Sequence, residues 1–260
     1  MTESISGSLY DHPRYYELIF GSDWKAEFDF LLACFERYSK KPIQRVFEPA
    51  CGTGRLLLRL AKQGFEVAGN DLNAAAIDYC NRRLAKHGFP AAATVGDMCD
   101  FAVKKKYHAA FNLINSFRHL PSETHARNHL NCVADCLRQG GLYLLGLHLT
   151  PAGDPICSEE SWSARRGHLA VTSHMQSLGI NRRARKEHIN LTVNVYTPTG
   201  SWQLSEEMDF RTYSAQQFRQ LLDAVDRFDV LETYDFTYDV DKPMPVDKHT
   251  EDVVYILRRR

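Results

Sequence analysis

The stretch that decides the fold reads Val46-Phe47-Glu48-Pro49-Ala50-Cys51-Gly52-Thr53-Gly54-Arg55. Its apolar start predicts a buried strand, which ends at Glu48, turns through two glycines and opens a helix. Gly52 and Gly54 can take a positive φ and carry no Cβ atom, so a ligand can approach the turn closely. The free N–H groups at the start of the helix would face that ligand.

A second predicted strand, residues 65–70, leads to Asp71, whose carboxylate could accept two hydrogen bonds from a ribose diol. The pattern differs from the GxGxxG fingerprint of dinucleotide sites, because Leu57 stands in place of the third glycine. An anion at Glu48 would repel a pyrophosphate, whereas it suits the sulfonium and ammonium groups of S-adenosylmethionine. The two strands therefore predict a cofactor site, against the simpler interpretation of a tight turn without a ligand.

The quoted stretch resembles the E-x-A-C-G-T-G-R cofactor motif of class I S-adenosylmethionine-dependent methyltransferases. The resemblance implies S-adenosyl-L-methionine as the cofactor and an α/β, Rossmann-like sheet of seven strands, six parallel and the last antiparallel. Strand and helix patterns alternate over residues 44–149, which independently predicts a parallel sheet with helices on both faces.

The pattern changes after residue 150. Residues from about 160 to 211 alternate as strands without a good helix, which predicts a small antiparallel β insert. We expect residues 1–150 to form an N-terminal lid and the first part of the cofactor core, and residues 214–260 to complete that core. Residues 151–213 would form the substrate lobe. This insert looks like that of small-molecule N-methyltransferases, including sugar-amine and glycine methyltransferase types.

Candidate cofactor contacts follow the C-terminal ends of the strands, where ligands of open α/β sheets bind. Asp71 would hold the ribose and Leu72 would pack on adenine, while Asp97 and Met98 would contact the adenine after the third strand. The complete set implied by motif and resemblance is Tyr15, Arg14, Glu48, Ala50, Cys51, Gly52, Gly54, Arg55, Asp71, Leu72, Asn73, Asp97, Met98 and Asn115.

The candidate catalytic residues are His119, Tyr10 and Tyr16. A neutral imidazole at His119 could take a proton from an amine or hydroxyl near pH 7, or it could be a helix-entry histidine bonded to backbone. The tyrosines belong to an aromatic arm that resembles the cofactor-closing tyrosines of the family; a helix that packs by an aromatic stripe is the alternative. We expect the arm and His119 to lie on opposite sides of the transferred methyl group.

Within the insert, the run Arg182-Arg183-Ala184-Arg185-Lys186 suggests anion binding. Residues 151–213 carry seven basic and seven acidic side chains, so a solvated edge that blocks strand pairing is favoured instead. Four side chains are candidate walls of a small-molecule pocket. They are Trp162, His174, Tyr196 and Trp202.

Composition narrows the class of protein. The 260 residues are 44% apolar and 25% charged, which suits one large globular domain or a core with an inserted lobe. Lys+Arg and Asp+Glu both number 32, so no global field draws the chain to nucleic acid or membranes. Without a leader pattern or a spanning apolar run, we expect a cytoplasmic protein.

Metal and disulfide sites are not expected. The seven cysteines are scattered, which predicts reduced thiols. His125 and His129 have the spacing of HExxH, but the glutamate is missing and no third ligand follows.

The sequence therefore predicts transfer of a methyl group to a nitrogen or oxygen of a small polar molecule, by a monomer or homodimer. An RNA or protein methyltransferase of the same fold remains an alternative, as does a non-catalytic protein that only binds the cofactor. The usual nucleobase-amine enzymes are disfavoured, because no Asn/Asp-Pro-Pro-Tyr/Phe tetrapeptide follows the fourth strand.

Overall fold

The computed structural model describes residues 3–5, 7–22, 24–153 and 158–260. Its helices are α1 (Pro13–Phe20), α2 (Lys25–Tyr38), α3 (Arg55–Lys62), α4 (Ala74–Lys86), α5 (Glu123–Cys136) and α6 (Ala215–Val225). Its strands are β1 (Glu3–Ile5), β2 (Arg45–Pro49), β3 (Glu66–Asp71), β4 (Ala93–Val95), β5 (Tyr107–Asn112), β6 (Leu137–His148), β7 (Glu159–Arg166), β8 (Leu169–Asn181), β9 (Lys186–Thr197), β10 (Gly200–Arg211), β11 (Phe228–Tyr234) and β12 (Asp252–Arg259). Short 3-10 helices cover Leu9–Asp11 and Ser116–His119.

The core is a seven-stranded sheet in the order β11-β12-β6-β5-β2-β3-β4. Strand β12 pairs antiparallel with both β11 and β6, while the other pairings are parallel. The predicted arrangement, six parallel strands with the last one antiparallel, is therefore confirmed. The strand order reverses at β2, which pairs with β3 on one side and β5 on the other. A crevice for ligands is expected beyond the C-terminal ends of these strands.

Each core strand directs apolar side chains alternately to the two faces of the sheet, and a layer of helices packs on each face. Phe47 of β2 and Tyr143 of β6 belong to the cluster that holds α5 and α6. Val46 of β2 and Leu144 of β6 belong to the cluster that holds α2, α3 and α4. Because successive strand residues point to opposite faces, each core strand must be apolar on both faces, as its sequence is.

The start of α6 is fixed by residues close together in the sequence. The Ser214 hydroxyl accepts a hydrogen bond from the Gln217 N–H, and the Gln217 side chain accepts one from the Ser214 N–H, which is a capping box. The fourth core strand, β5, ends at Asn112. Asn115 has φ +50° and precedes a 3-10 helix, so the chain has already left the extended conformation there.

The region after residue 158 forms a second sheet, in which β7, β8, β9 and β10 are antiparallel neighbours and β1 pairs parallel with β10. Its inner face is apolar, with Val171, Val193 and Val195 fully buried. The N-terminal arm, residues 7–21, packs against this face through Leu9 and Leu18. The arm therefore lies between the core and the second sheet and contacts both.

The basic run in the β8–β9 turn is not simply a solvated edge, and the expectation is wrong for two of its arginines. Arg182 donates to the carbonyl of Pro151 at 2.8 Å. Arg185 pairs with Glu123 of α5 at 2.8 Å, and its guanidinium lies 4.7 Å from the ring centre of Tyr213. Both side chains tie the second sheet to the core.

His129 lies in the core, where the two ring nitrogens have different partners. Its Nδ1 lies 2.9 Å from the carbonyl oxygen of Met98, and its Nε2 lies 2.7 Å from the hydroxyl of Tyr143. Because a carbonyl only accepts, Nδ1 carries the proton and Nε2 accepts from the hydroxyl. The imidazole is therefore neutral and supports the packing of α5 on the sheet.

The described part of the chain contains cysteines that form no disulfide. Six cysteines there are free thiols, and Cys157 lies outside the described ranges. Over the same residues, the structure has no helix with the length and apolar character that a bilayer crossing requires.

Candidate functional site

A cavity of about 520 Å³ lies where the core, the arm and the inner face of the second sheet meet. Most of the residues that the sequence singled out line it. They are Tyr10, Tyr16, Glu48, Ala50, Cys51, Gly52, Arg55, Asp71, Leu72, Asn73, Met98, Asn115 and His119. The structure thus brings the predicted cofactor turn and the predicted catalytic residues to one space.

Asp71 joins the tip of β3 to the glycine turn. Its Oδ2 accepts a hydrogen bond from the Gly52 N–H at 2.9 Å, and its Oδ1 accepts one from the Asn73 N–H at 2.8 Å. Burial raises the pKa of Asp71, although these two backbone donors oppose the shift. Each carboxylate oxygen has a further lone pair, so the group can still accept from a ligand diol in the cavity.

Glu48 is a buried carboxylate in the wall of the cavity, with only 8% of the residue exposed. Its Oε2 has no hydrogen-bond partner, and burial raises its pKa well above the usual range. Arg55 lowers that pKa by its charge, but its own guanidinium pairs with Glu27. A cationic ligand in the cavity would compensate the buried carboxylate, which is the requirement that a sulfonium and an ammonium group meet.

The two glycines of the turn have different roles. Gly52 has φ +51°, and a Cβ atom there would meet only Tyr16 Cε1, at 3.9 Å, so this position borders open space. Gly54 has φ +67°, and a Cβ atom there would lie 2.3 Å from the Cys80 sulfur. The prediction that Gly54 opens the turn to a ligand is therefore wrong. Its missing side chain lets α4 pack closely behind the turn.

Tyr10 and His119 are in direct contact. The Tyr10 hydroxyl lies 3.1 Å from His119 Nε2, and the ring centres are 5.7 Å apart. This contact leaves no room for a methyl group between Tyr10 and His119, so these two side chains do not lie on opposite sides of the transferred methyl group as expected. The arm folds onto the 3-10 helix that carries the histidine.

The ionisation of both groups follows from their surroundings. His119 is exposed at the cavity; desolvation by the surrounding protein, with the charge of Arg118, lowers its pKa to about 4. Burial raises the pKa of Tyr10 and brings that of Tyr16 to about 12. At neutral pH a protonated Tyr10 hydroxyl is therefore hydrogen-bonded to a neutral imidazole.

Buried polar contacts hold the arm in place. Glu17 of α1 accepts from the Thr53 hydroxyl at 2.6 Å, and its other oxygen pairs with Arg83 of α4 at 2.6 Å. Asn73 donates to Asp11 at 2.8 Å. The arm is thus attached to the glycine turn and to the start of α4, both of which border the cavity.

Besides Gly54, three other residues of the predicted cofactor set do not line the cavity. Arg14 is exposed, and Tyr15 packs on Trp202 of β10 with ring centres 5.0 Å apart. Both are on the side of α1 away from Tyr16, because a helix directs consecutive residues to different faces. Asp97 Oδ1 accepts a hydrogen bond from the Cys99 N–H at 2.9 Å, while the adjacent Met98 borders the cavity.

Sequence reasoning missed several polar residues at the second sheet and its junction with the core. His148 ends β6, and its ring nitrogen Nδ1 lies 2.6 Å from Asp252 Oδ1. The backbone N–H of His148 donates to the Asn115 side-chain oxygen at 3.0 Å. Glu160 of β7 also borders the cavity. A polar residue at a strand tip could have indicated His148, whereas Glu160 follows a segment without a clear pattern.

Of the four aromatic residues expected to wall a pocket, Trp162 alone borders the cavity. Trp202 packs on the arm. His174 contacts Ser161 at 2.9 Å, and Tyr196 is 46% exposed. Apolar residues of β8 to β10 form this wall instead: Met175, Leu191, Met208 and Phe210.

Comparison with known proteins gives consistent matches. Residues 46–141 match the family model of a methyltransferase domain. A protein of Geobacillus sp. (strain WCH70) with a methyltransferase name is 24% identical over 204 residues, 78% of this chain and 81% of the relative. The dTDP-3-amino-3,4,6-trideoxy-alpha-D-glucopyranose N,N-dimethyltransferase of Streptomyces venezuelae is 26% identical over 138 residues, 52% of this chain and 56% of that protein.

A solved structure extends the similarity to nearly the whole fold. An S-adenosylmethionine-dependent methyltransferase from Clostridium acetobutylicum ATCC 824 superposes with a TM-score of 0.77 at 16% identity, covering 97% of this chain and 99% of that chain. The matched domain contains the glycine turn and Asp71, and the buried Glu48 fits the cationic cofactor. Residues 46–141 therefore form a methyltransferase domain, and the chain as a whole has the fold of that S-adenosylmethionine-dependent methyltransferase.

Proposed function

We propose that this enzyme transfers the methyl group to a nitrogen of a small acceptor that binds between the cofactor turn and the second sheet. The observation that carries the proposal is the cavity of about 520 Å³, whose walls include Glu48 on one side, Phe210 on the other, and Tyr10 of the arm. Its volume is in the range of small-molecule sites. In this proposal residues 151–213 are the substrate lobe.

Nitrogen is favoured over oxygen by the state of His119. A hydroxyl acceptor must lose its proton to a base of suitable strength, whereas a neutral amine already offers a lone pair. With a pKa of about 4, His119 is a weak base, and its Nε2 is engaged in a hydrogen bond with the Tyr10 hydroxyl. We therefore assign His119 to positioning Tyr10, and assign rate enhancement mainly to alignment of the acceptor with the methyl group.

Specific roles are proposed for the cofactor residues. Asp71 would accept from the ribose hydroxyls, Leu72 would cover the adenine, and Glu48 would face the cationic end of the cofactor. Leu72 is 70% exposed although it is apolar, as expected for a side chain that a ligand covers. S-adenosylmethionine supplies the activated methyl group, and these residues hold and orient it.

The alternatives are a macromolecular acceptor and a protein that binds the cofactor without turnover. The arm disfavours a macromolecule, because Ser8 donates to Glu206 of β10 at 2.9 Å and Asp11 accepts from Asn73 across the cavity mouth. The sugar N-methyltransferase named above favours a small amine acceptor by analogy. We further propose a cytoplasmic monomer or homodimer.

Labelled cofactor offered with separate pools of metabolites, RNA and protein tests the proposal. Label should enter the small-molecule pool, and mass spectrometry should place the methyl group on nitrogen. Label in RNA or protein instead, or binding of S-adenosylhomocysteine without transfer to any pool, would contradict it.

A further inference from the structure

We propose that the acceptor is an amine with an apolar body and no phosphate group, and that Glu160 binds its nitrogen. The inference rests on the proposed N-methyl transfer and adds the class of substrate. It depends on the walls of the main cavity and of a second cavity of about 260 Å³, which share Glu160.

The substrate lobe contributes an apolar surface. Side chains from three of its strands, Met175, Leu191, Met208 and Phe210, line the main cavity together with Trp162. These five side chains have no charged group and only one polar hydrogen, on the indole of Trp162. A surface of this kind binds hydrocarbon or aromatic parts of a ligand and provides little for a sugar ring with many hydroxyls.

The arginines that could bind a phosphate group already form ion pairs with glutamates. Among the described residues that line the two cavities, the arginines are Arg55 and Arg118. Arg55 pairs with Glu27 and Arg118 pairs with Glu187, and both guanidinium groups are largely buried. A diphosphate placed here would have to break a buried ion pair, which is costly. The walls therefore disfavour a nucleotide-linked sugar.

Glu160 is the acidic group that the substrate lobe directs into the main cavity. It is partly buried, and burial raises its pKa. The charged groups around it are His148, which pairs with Asp252 at 2.6 Å, and Glu187, which pairs with Arg118. Since the carboxylates of Asp252 and Glu187 each have a side-chain partner, the Glu160 carboxylate is the one left to bind a cation.

A second carboxylate shows that the cavity is built for cations. Glu48 is more than nine-tenths buried and its Oε2 has no hydrogen-bond partner. It belongs to the core wall, whereas Glu160 belongs to the wall of the substrate lobe. One carboxylate can thus face the positive charge of the cofactor and the other the positive charge of the methylated product.

This placement suits the charge movement of the reaction. The nitrogen lone pair forms the new N–CH₃ bond while the S–CH₃ bond breaks with its electron pair left on sulfur. Positive charge moves from sulfur to nitrogen, and a carboxylate beside the nitrogen stabilises it as it develops. The product ammonium then gives one proton to Glu160, which releases it to water in the second cavity.

Calorimetry on the complex with S-adenosylhomocysteine tests the inference without turnover. The probes are 2-phenylethylamine, tryptamine, the neutral analogue 2-phenylethanol, and a dTDP-linked amino sugar. We expect the amines to bind, and to bind at least tenfold more tightly than the alcohol and the nucleotide sugar. Glu160→Gln should weaken amine binding at least tenfold and leave S-adenosylhomocysteine binding unchanged, while Glu160→Asp should retain part of the affinity.

The matched control is Glu207→Gln, because Glu207 lies on β10 with its side chain 64% exposed and pairs with His188. It should bind the amines as the wild type does. The inference is overturned if no amine binds, if Glu160→Gln binds amines like the wild type, or if the nucleotide sugar binds most tightly. Methylation of that sugar on nitrogen would overturn the inference and leave the proposed N-methyl transfer intact.

Discussion

The hydroxyl of Tyr10 is hydrogen-bonded to Nε2 of His119 across 3.1 Å, so the arm and the segment after the fourth core strand meet in one hydrogen bond. The two residues are separated by 109 positions in the chain. Tyr10 belongs to the arm and His119 to the 3-10 helix after the fourth core strand, so this bond joins the two elements at the cavity that both residues line. It also fixes the direction of the phenol ring.

Removing either partner should therefore have a similar effect. Tyr10→Phe and His119→Ala should each lower kcat/KM by about tenfold, because each loses the same hydrogen bond at the cavity. The double variant should lose much less than the product of the two, with a coupling of about 1 kcal/mol. Steady-state kinetics with the acceptor found in the pool assay measure the cycle; strictly additive losses would contradict the shared role.

The pH dependence of kcat distinguishes positioning from base catalysis. The pKa of His119 is lowered to about 4, so its protonation state does not change between pH 6 and 9. The acidic limb of a kcat–pH profile should therefore be the same in the wild type and in His119→Gln. If the wild type has an acidic limb near pH 6.5 that the variant lacks, His119 is a base after all.

Asp71 should be the most sensitive cofactor residue to test by binding. Asp71→Ala leaves the N–H groups of Gly52 and Asn73 without their acceptor and removes the proposed ribose contact. We expect S-adenosylhomocysteine binding to weaken by about 1–3 kcal/mol, measured by calorimetry. Asp78→Ala is the control, because Asp78 forms an exposed ion pair with Arg82 on α4. NAD should bind to neither protein, and tighter binding of NAD than of S-adenosylhomocysteine would refute the cofactor assignment.

Alanine at the two glycines of the turn should separate binding from stability. Gly54→Ala places a Cβ atom 2.3 Å from the Cys80 sulfur and should destabilise the fold by about 3 kcal/mol or more. Adding Cys80→Ala should recover part of that loss. Gly52→Ala meets no close atom and should cost only about 1–2 kcal/mol of backbone strain, yet weaken S-adenosylhomocysteine binding.

Denaturant unfolding and calorimetry of these variants give both quantities. Equal destabilisation by the two alanines, or no recovery with Cys80→Ala, would contradict the separate roles of the two glycines.

Acid should destabilise the protein through His129. Burial lowers its folded pKa to about 4, below the usual 6.5, so between these values the unfolded chain binds a proton that the folded chain does not. Stability should thus be intact above pH 6.5 and fall as the pH decreases toward 4, by up to about 3 kcal/mol from this group. In urea unfolding at several pH values, the free energy of unfolding should depend less on pH in His129→Gln than in the exposed control His249→Gln. Identical slopes would contradict this assignment.

Local patterns determined the fold of the core. The Val46-Phe47 strand, the glycine pair and the leucines of α3 occupy adjacent positions, so one short segment encodes strand, turn and helix. The Ser214 capping box is likewise set by residues three positions apart. These features could be predicted because backbone propensity and nearest-neighbour hydrogen bonds act over a few residues.

The tertiary structure decided which side chains face the cavity. Tyr15 and Tyr16 are adjacent and chemically alike, yet Tyr16 borders the cavity and Tyr15 packs on Trp202. Gly54 resembles a ligand-cradling glycine in sequence, but its role depends on Cys80, which α4 brings behind the turn. Both outcomes depend on the angle at which one helix packs, which no local pattern encodes.

The acceptor side depended on tertiary structure most of all. Glu160 of β7 lines the same cavity as residues at the C-terminal ends of the core strands, and His148 meets Asp252 because β12 runs antiparallel beside β6. The sequence by itself determined a strand–turn–helix cofactor site and an antiparallel insert. Only the packing of that insert and the arm onto the core decided what surrounds the acceptor, because contacts between distant segments depend on the relative placement of whole elements.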